Sequence, residues 1–257
     1  MDHFPAIDIL PTSDAVAAHA AGRVIDGLAS GRVTTLGLAT GATMVQVYAR
    51  LVAAYSAGAV SFRSVTTFNL DEYVGVEPTA PGSFRAFMRR CLFDRVDMAP
   101  ARIHLPDGLA RDSAIECVRY EQLIRQSGGI GLQLLGIGAN GHIGFNEPGS
   151  AVTSRTREVG LTDGTRAANA AFFAAPAKVP QRALTMGIAT ILEAREILLL
   201  ATGAHKADAV SAAVFGPMST DCPASALRLH PRVRVICDAA AATHIAGRRA
   251  AQIGGVT

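Results

Sequence analysis

Short, continuously apolar runs alternate along this chain with stretches of helical periodicity, and the runs end in loops rich in glycine or polar residues. Runs at 33–38, 65–70, 132–137, 196–201 and 233–237 are too short for helices and carry the β-branched and aliphatic residues of buried strands. Shorter extended stretches fall at 103–105 and 156–161. Between them the pattern predicts helices over 13–29 with Ser13 as cap, 44–54, 84–93, 112–126, 165–174 and 184–192, and one carrying Lys206. Strands that are apolar on both faces must be covered on both faces, which parallel sheets achieve with crossover helices. The expectation is an α/β fold: a mainly parallel, Rossmann-like sheet with helices on both faces, forming a single domain over residues 1–257. A length of 257 residues with 49% hydrophobic content suits that size of core. The alanine-rich stretch beyond Asp238 is expected to fray.

In open α/β sheets, ligands bind outside the carboxyl ends of the strands. Four strand ends here carry unusual residues: Thr40-Gly41-Ala42-Thr43, Asp71-Glu72, Asn140-Gly141-His142 and Thr202-Gly203-Ala204-His205-Lys206. Two of these are loops entering helices, an arrangement that suits a phosphate. Lys206 brings positive charge to one of them. It is one of only two lysines among 24 basic residues, the other being Lys178, so a lysine here is more informative than usual. The remaining two ends supply a carboxylate and an imidazole. His142 stands between Asn140 and Glu147, which can fix its tautomer and orientation for proton transfer. Asp71 could serve as a base only if desolvated, because an ordinary aspartate, with a pKa of about 3.9, is a weak one.

Other classes find little support. Gly136, Gly138 and Gly141 spell the G-x-G-x-x-G of dinucleotide-binding folds, but that pattern needs a helix at its third glycine. Pro148 follows within seven residues and 146–150 reads as a turn. The net charge is only +3, with no basic run to track nucleic acid. Cys91, Cys117, Cys222 and Cys237 show no C-x-x-C spacing, so neither a zinc site nor a redox pair is suggested, and reduced cytosolic thiols are the simplest assignment. The N-terminus lacks the pattern of a signal peptide, and no apolar run reaches the roughly 18–20 residues of a membrane span. A cytoplasmic protein is expected.

At these residues the chain resembles the glucosamine-6-phosphate deaminases. The resemblance runs from about residue 36 to 238. It is carried by 36–43, 67–75, 154–157, 183–187 and above all Gly138-Ala139-Asn140-Gly141-His142-Ile143-Gly144-Phe145-Asn146-Glu147-Pro148. The related 6-phosphogluconolactonases share the glycine–histidine core of that last segment but not its Phe-Asn-Glu-Pro. The resemblance implies conversion of glucosamine 6-phosphate and water to fructose 6-phosphate and ammonia, without cofactor or metal. It implies Asp71 as the base at C2, His142 as the group that opens the sugar ring, and Glu147 and Asn140 as the residues that position it. Thr40, Gly41, Ala42, Thr43, Glu72 and Lys206 would bind the substrate and its phosphate.

The sequence departs from the family at several places. Asn140 stands where many members have aspartate, and Ala171 where members usually have a phosphate-binding arginine. Arg166, Arg182 and His205 are the candidate replacements for that cation. Arg157 matches the family's allosteric site but Val159 replaces a lysine there, so activation by an N-acetylated sugar phosphate is not expected. The implied partner is a small aminosugar phosphate, with no nucleic acid and no membrane; the sequence leaves a homo-oligomer open. Alternatives are a deaminase for another aminosugar 6-phosphate, a lactonase-like hydrolase, and a non-catalytic sugar-phosphate sensor.

Overall fold

The computed structural model describes residues 3–170, 173, 179–245 and 247. In chain order its elements are β1 (Ala6–Leu10), α1 (Ser13–Ala29), β2 (Thr35–Leu38), α2 (Ala42–Ser56), β3 (Thr66–Asn69), β4 (Asp71–Tyr73), α3 (Phe84–Cys91) and β5 (Ile103–His104). Then follow α4 (Ser113–Gln126), β6 (Leu132–Gly136), β7 (Arg157–Gly160), α5 (Asp163–Asn169), β8 (Arg182–Thr185), α6 (Ile188–Leu192), β9 (Ile197–Ala201), α7 (Ala207–Phe215) and β10 (Val233–Asp238). Seven strands form one sheet in the order β1-β10-β9-β6-β2-β3-β5, with every pairing parallel. Helices flank this sheet, as expected for an α/β fold.

Local sequence explains these elements. Thr12 caps α1 by accepting from the Ala15 N–H, one residue before the expected cap, and Val16, Ala20, Val24 and Gly27 repeat along its buried face. Asp112 caps α4 through the N–H groups of Ala114 and Ile115. All five residues of β9 are buried, as a central parallel strand requires. Truncating Leu198 to alanine there is expected to cost about 2–5 kcal/mol.

Strand order locates the site. From β2 the chain builds outward through β3 and β5; from β6 it builds the other way through β9 and β10. The switch point lies between β2 and β6, and the crevice outside their carboxyl ends is where such folds bind ligands.

Three expectations need correction, and one strand was not anticipated. The strand expected over 65–70 stops at Asn69, and Leu70 carries the chain into a second sheet, antiparallel, in the order β4-β8-β7. Leu70 ties the two sheets together: its N–H donates to the Leu38 carbonyl and its carbonyl accepts from the Met186 N–H. The helix expected over 184–192 is β8 followed by α6, because the backbone of Ala183 to Thr185 finds partners on both β4 and β7. Short apolar runs cannot be assigned from periodicity alone. Strand β1 escaped notice because, as an edge strand paired only with β10, it lacks a continuous buried run. Beyond Asp238 the chain is held rather than frayed as far as Ile245: Ala241, Ala242 and Ile245 are buried, and the Ala241 N–H donates to Oδ1 of Asp238. Of the helix expected over 165–174, α5 accounts for the part to Asn169.

Candidate active site

A cavity of about 670 Å³ opens at the switch point. That volume suits a small ligand. Thr40, Gly41, Ala42 and Thr43 after β2, Asp71 after β3, Asn140 and His142 after β6, and Lys206 after β9 all line it. The four polar strand ends singled out in the sequence thus converge on one cavity.

Asp71 opens β4 and is registered opposite Thr185. It is 5% exposed, and its Oδ1 has no hydrogen-bond partner. Aromatic rings cluster nearby: Tyr73 packs on Phe84 at 4.7 Å and on Phe145 at 5.6 Å between centroids. Burial, and then the charge of Glu72, push the Asp71 carboxyl well above the usual aspartate range. The other carboxylate oxygen lies close to Gly144, two residues beyond His142.

Glu72 does something different from what the sequence suggested. Successive side chains of a strand point to opposite faces. With Asp71 facing the cavity, Glu72 faces α3, where its carboxylate accepts from the N–H groups of Phe84 and Arg85 at 2.9 Å each. It also accepts from the Tyr73 N–H at 2.9 Å, and it is absent from the cavity wall. Its place is therefore at the amino end of α3 rather than beside a bound ligand.

His142 is held by a chain of side chains. Its Nδ1 lies 2.7 Å from Oδ1 of Asn140, and the amide nitrogen of Asn140 donates to Oε2 of Glu147 at 2.7 Å. The direct separation of His142 Nδ1 from Glu147 Oε2 is 3.6 Å, too long for a hydrogen bond. Glu147 stands behind Asn140, off the cavity wall. The imidazole of His142, the hydroxyl of Thr165 and the amide of Asn140 hold its carboxyl down at about 2, against partial burial. An ionised carboxylate only accepts, so Asn140 must turn its NH₂ toward Glu147 and its oxygen toward His142. Neutral His142 then carries its proton on Nδ1, which leaves Nε2 as the basic nitrogen.

Glycines make room for this array. A Cβ on Gly138 would lie 2.2 Å from Cε1 and Nδ1 of His142, so the ring rests directly on backbone. Gly141 has φ +83° and is packed against Cys222, whose Sγ would meet a Cβ at 2.6 Å. Behind the loop, Arg157 donates to Oδ1 of Asn146 at 2.8 Å and to Ser150 at 3.2 Å. Asn146 is fully buried and donates to the carbonyls of Ile143 and Met186. Together these fix the turn that follows His142.

Also on the cavity wall, the hydroxyls of Thr43, in the first turn of α2, and Thr202, just after β9, lie 3.0 Å apart. The amino end of α2 carries no side-chain cap. Its free N–H groups, with the helix dipole, form a ready anion site. Lys206 makes no ion pair with any described residue, and burial lowers its pKa. No arginine among the described residues lines the cavity. Arg166 pairs with Asp163 and Arg182 with Glu158, and neither reaches the wall. Of the candidate replacements for the missing arginine, only His205 lines the cavity. Ala171 itself lies outside the described residues.

Sequence reasoning missed the wall made by α5: Thr162, Gly164, Thr165 and Asn169. It also missed Ser83, Phe84 and Phe87 of the α3 region. Neither group lies at a carboxyl end of the parallel sheet, and no motif marks them.

A parallel sheet whose switch point gathers a buried carboxylate, an imidazole and a partly buried lysine around one cavity defines an α/β protein with a ligand-sized pocket at its strand ends. Residues 11–236 match the family of glucosamine-6-phosphate isomerases/6-phosphogluconolactonase, and the chain belongs to that family. It is 52% identical over 237 residues to a glucosamine-6-phosphate deaminase of Rhodopirellula baltica, covering 92% of this chain and 94% of the relative. A solved structure of a monomeric glucosamine-6-phosphate deaminase superposes with a TM-score of 0.89 at 44% identity, covering 93% of this chain and 99% of that one. A 6-phosphogluconolactonase from Trypanosoma cruzi shares the fold, with a TM-score of 0.77 at 18% identity over 96% of this chain and 98% of its own.

Proposed function

We propose that the chain is a glucosamine-6-phosphate deaminase, working as one domain, that converts glucosamine 6-phosphate and water to fructose 6-phosphate and ammonia. One observation carries this reading. A buried, desolvated Asp71 and an oriented His142 face the same cavity, whose wall also offers Lys206, two threonine hydroxyls and a helix amino terminus to a phosphate. The 52% identity to the Rhodopirellula deaminase supports the same assignment.

The chemistry follows from the residue types. Nε2 of His142 takes the proton of the anomeric hydroxyl and returns one to the ring oxygen, opening the pyranose. Asp71 then removes the hydrogen at C2. Desolvation makes its carboxylate a stronger base than it would be in water. The electron pair moves into the C1 carbonyl, giving an enol, and proton return at C1 leaves an imine at C2. Water adds to that carbon and ammonia departs, so the isomerisation ends in hydrolysis of a carbon–nitrogen bond. Asn140 and Glu147 act through His142. Among the described residues no helix is long and apolar enough to cross a membrane. An aminosugar phosphate of catabolism, met in the cytoplasm, is the substrate we propose.

An assay coupled to ammonia release, run across a panel of aminosugar 6-phosphates, tests this. Turnover should be highest with the gluco epimer. Preference for the galacto epimer would reassign the substrate, and lactone hydrolysis without ammonia release would reject the reading.

A further inference from the structure

Thr165 joins the proton-transfer array from outside the loop that carries it. It is buried in the first turn of α5, and its hydroxyl donates to Oε1 of Glu147. Asn140 occupies the other carboxylate oxygen, Oε2, at 2.7 Å. Each oxygen of Glu147 therefore has one donor, from the catalytic loop on one side and from the cavity wall on the other. The position of Thr165 is itself fixed. Its N–H donates to Oγ1 of Thr162 at 3.2 Å, and its carbonyl accepts from the Asn169 side chain at 3.0 Å.

We propose that Thr165 is a positioning residue: its hydroxyl holds Glu147 so that Asn140 keeps the one orientation that puts the His142 proton on Nδ1 and leaves Nε2 free for substrate. The terminal torsion of a glutamate is broad and roughly two-fold, so one hydrogen bond does not fix the plane of the carboxylate. The second does. An amide has two orientations of similar shape; the His142 N–H, which donates to Oδ1 of Asn140 at 3.2 Å, and the fixed carboxylate of Glu147 together distinguish them. Thr165 thus couples the docking of α5 to the working tautomer of a histidine on a different element, adding to the hold that the His142 N–H has on Asn140. The consequence for turnover rests on the deaminase reading; the tautomer does not.

Two variants separate this from simple packing. Thr165→Val keeps the shape and removes the hydroxyl, while Thr165→Ser keeps the hydroxyl. The ring signals of His142, in protein labelled with ¹⁵N-histidine and assigned by their loss in His142→Gln, report which nitrogen carries the proton. Wild type should show Nδ1 protonated. Thr165→Val should show a mixture of tautomers, with kcat down about tenfold and KM within about twofold, the size expected for one hydrogen bond to a charged group. Thr165→Ser should restore both. An unchanged tautomer and kcat in Thr165→Val, or a serine variant as impaired as the valine one, would overturn the proposal. Should wild type release no ammonia, the deaminase reading fails, and the tautomer comparison alone decides the role of Thr165.

Discussion

Oδ1 of Asn140 lies 2.7 Å from Nδ1 of His142, so a neutral amide stands where a carboxylate would stabilise an imidazolium. Asn140→Asp tests what that neutrality does. The new carboxylate would sit at hydrogen-bond distance from Glu147, and an added negative charge beside the ring favours its protonated form. If neutral His142 is the base that opens the ring, the acidic limb of kcat/KM against pH should move to higher pH by about one unit. A limb that stays in place would show that His142 does not govern it.

Asp71 is expected to trade stability for chemistry. Its folded pKa is raised, chiefly by burial and then by Glu72. The unfolded chain ionises at the ordinary aspartate value, so the stability linked to Asp71 is present below that pH and is lost as pH rises through the folded value. Asp71→Asn should therefore raise Tm at pH 7 and raise it less at pH 4. About 1 kcal/mol corresponds to about 2–4 °C in a chain of this size. The same variant should abolish both ammonia release and exchange of the C2 hydrogen with solvent. Retained exchange would remove Asp71 from the mechanism.

Gly138→Ala addresses the support beneath His142. A Cβ there would come within 2.2 Å of the ring, so the imidazole must leave its place. The backbone of Gly138 also donates to the His142 carbonyl at 2.8 Å, so the two cannot separate without opening the loop. Loss of a general acid–base group typically lowers rate by about 10²–10⁴-fold, and kcat should fall within that range. The drop should be far larger for cyclic substrate than for substrate already open, as it should in His142→Gln. Equal losses on both forms would deny His142 a special part in ring opening.

The sequence carried the central sheet and most of the site because both rest on local signals. Runs such as that at 196–201 are buried on both faces, and loops such as Thr40–Thr43 and Asn140–His142 interrupt them at their carboxyl ends. What escaped depends on contacts distant in sequence. Nothing in Asp71-Glu72 says that the two carboxylates point apart; pairing with β8, more than 100 residues on, sets which faces the cavity. Thr165 reads as an ordinary residue of a short helix until α5 docks against Glu147, 18 positions earlier. Strand β1 is defined by β10, more than 200 residues away.

Lys206 is the group expected to meet the phosphate of the proposed substrate. It is partly buried without an anionic partner among the described residues, an arrangement that suits a ligand carrying the opposite charge. Lys206→Met should raise KM for a 6-phosphate by about 10- to 100-fold, the equivalent of a charged hydrogen bond, and should lower kcat less. By the resemblance to the deaminases, position 171 is where an arginine would be expected to meet the phosphate, and this chain has alanine there. Ala171→Arg should therefore lower KM in the wild-type background and recover part of the loss in Lys206→Met. A substrate analogue without phosphate should respond to neither change. If Ala171→Arg improves neither background, another group already serves the phosphate. His205 is then the residue to substitute next, because it is the remaining basic side chain on that part of the wall among the described residues. If Lys206→Met leaves KM unaltered, the anionic group of the true substrate lies elsewhere and the phosphate assignment falls.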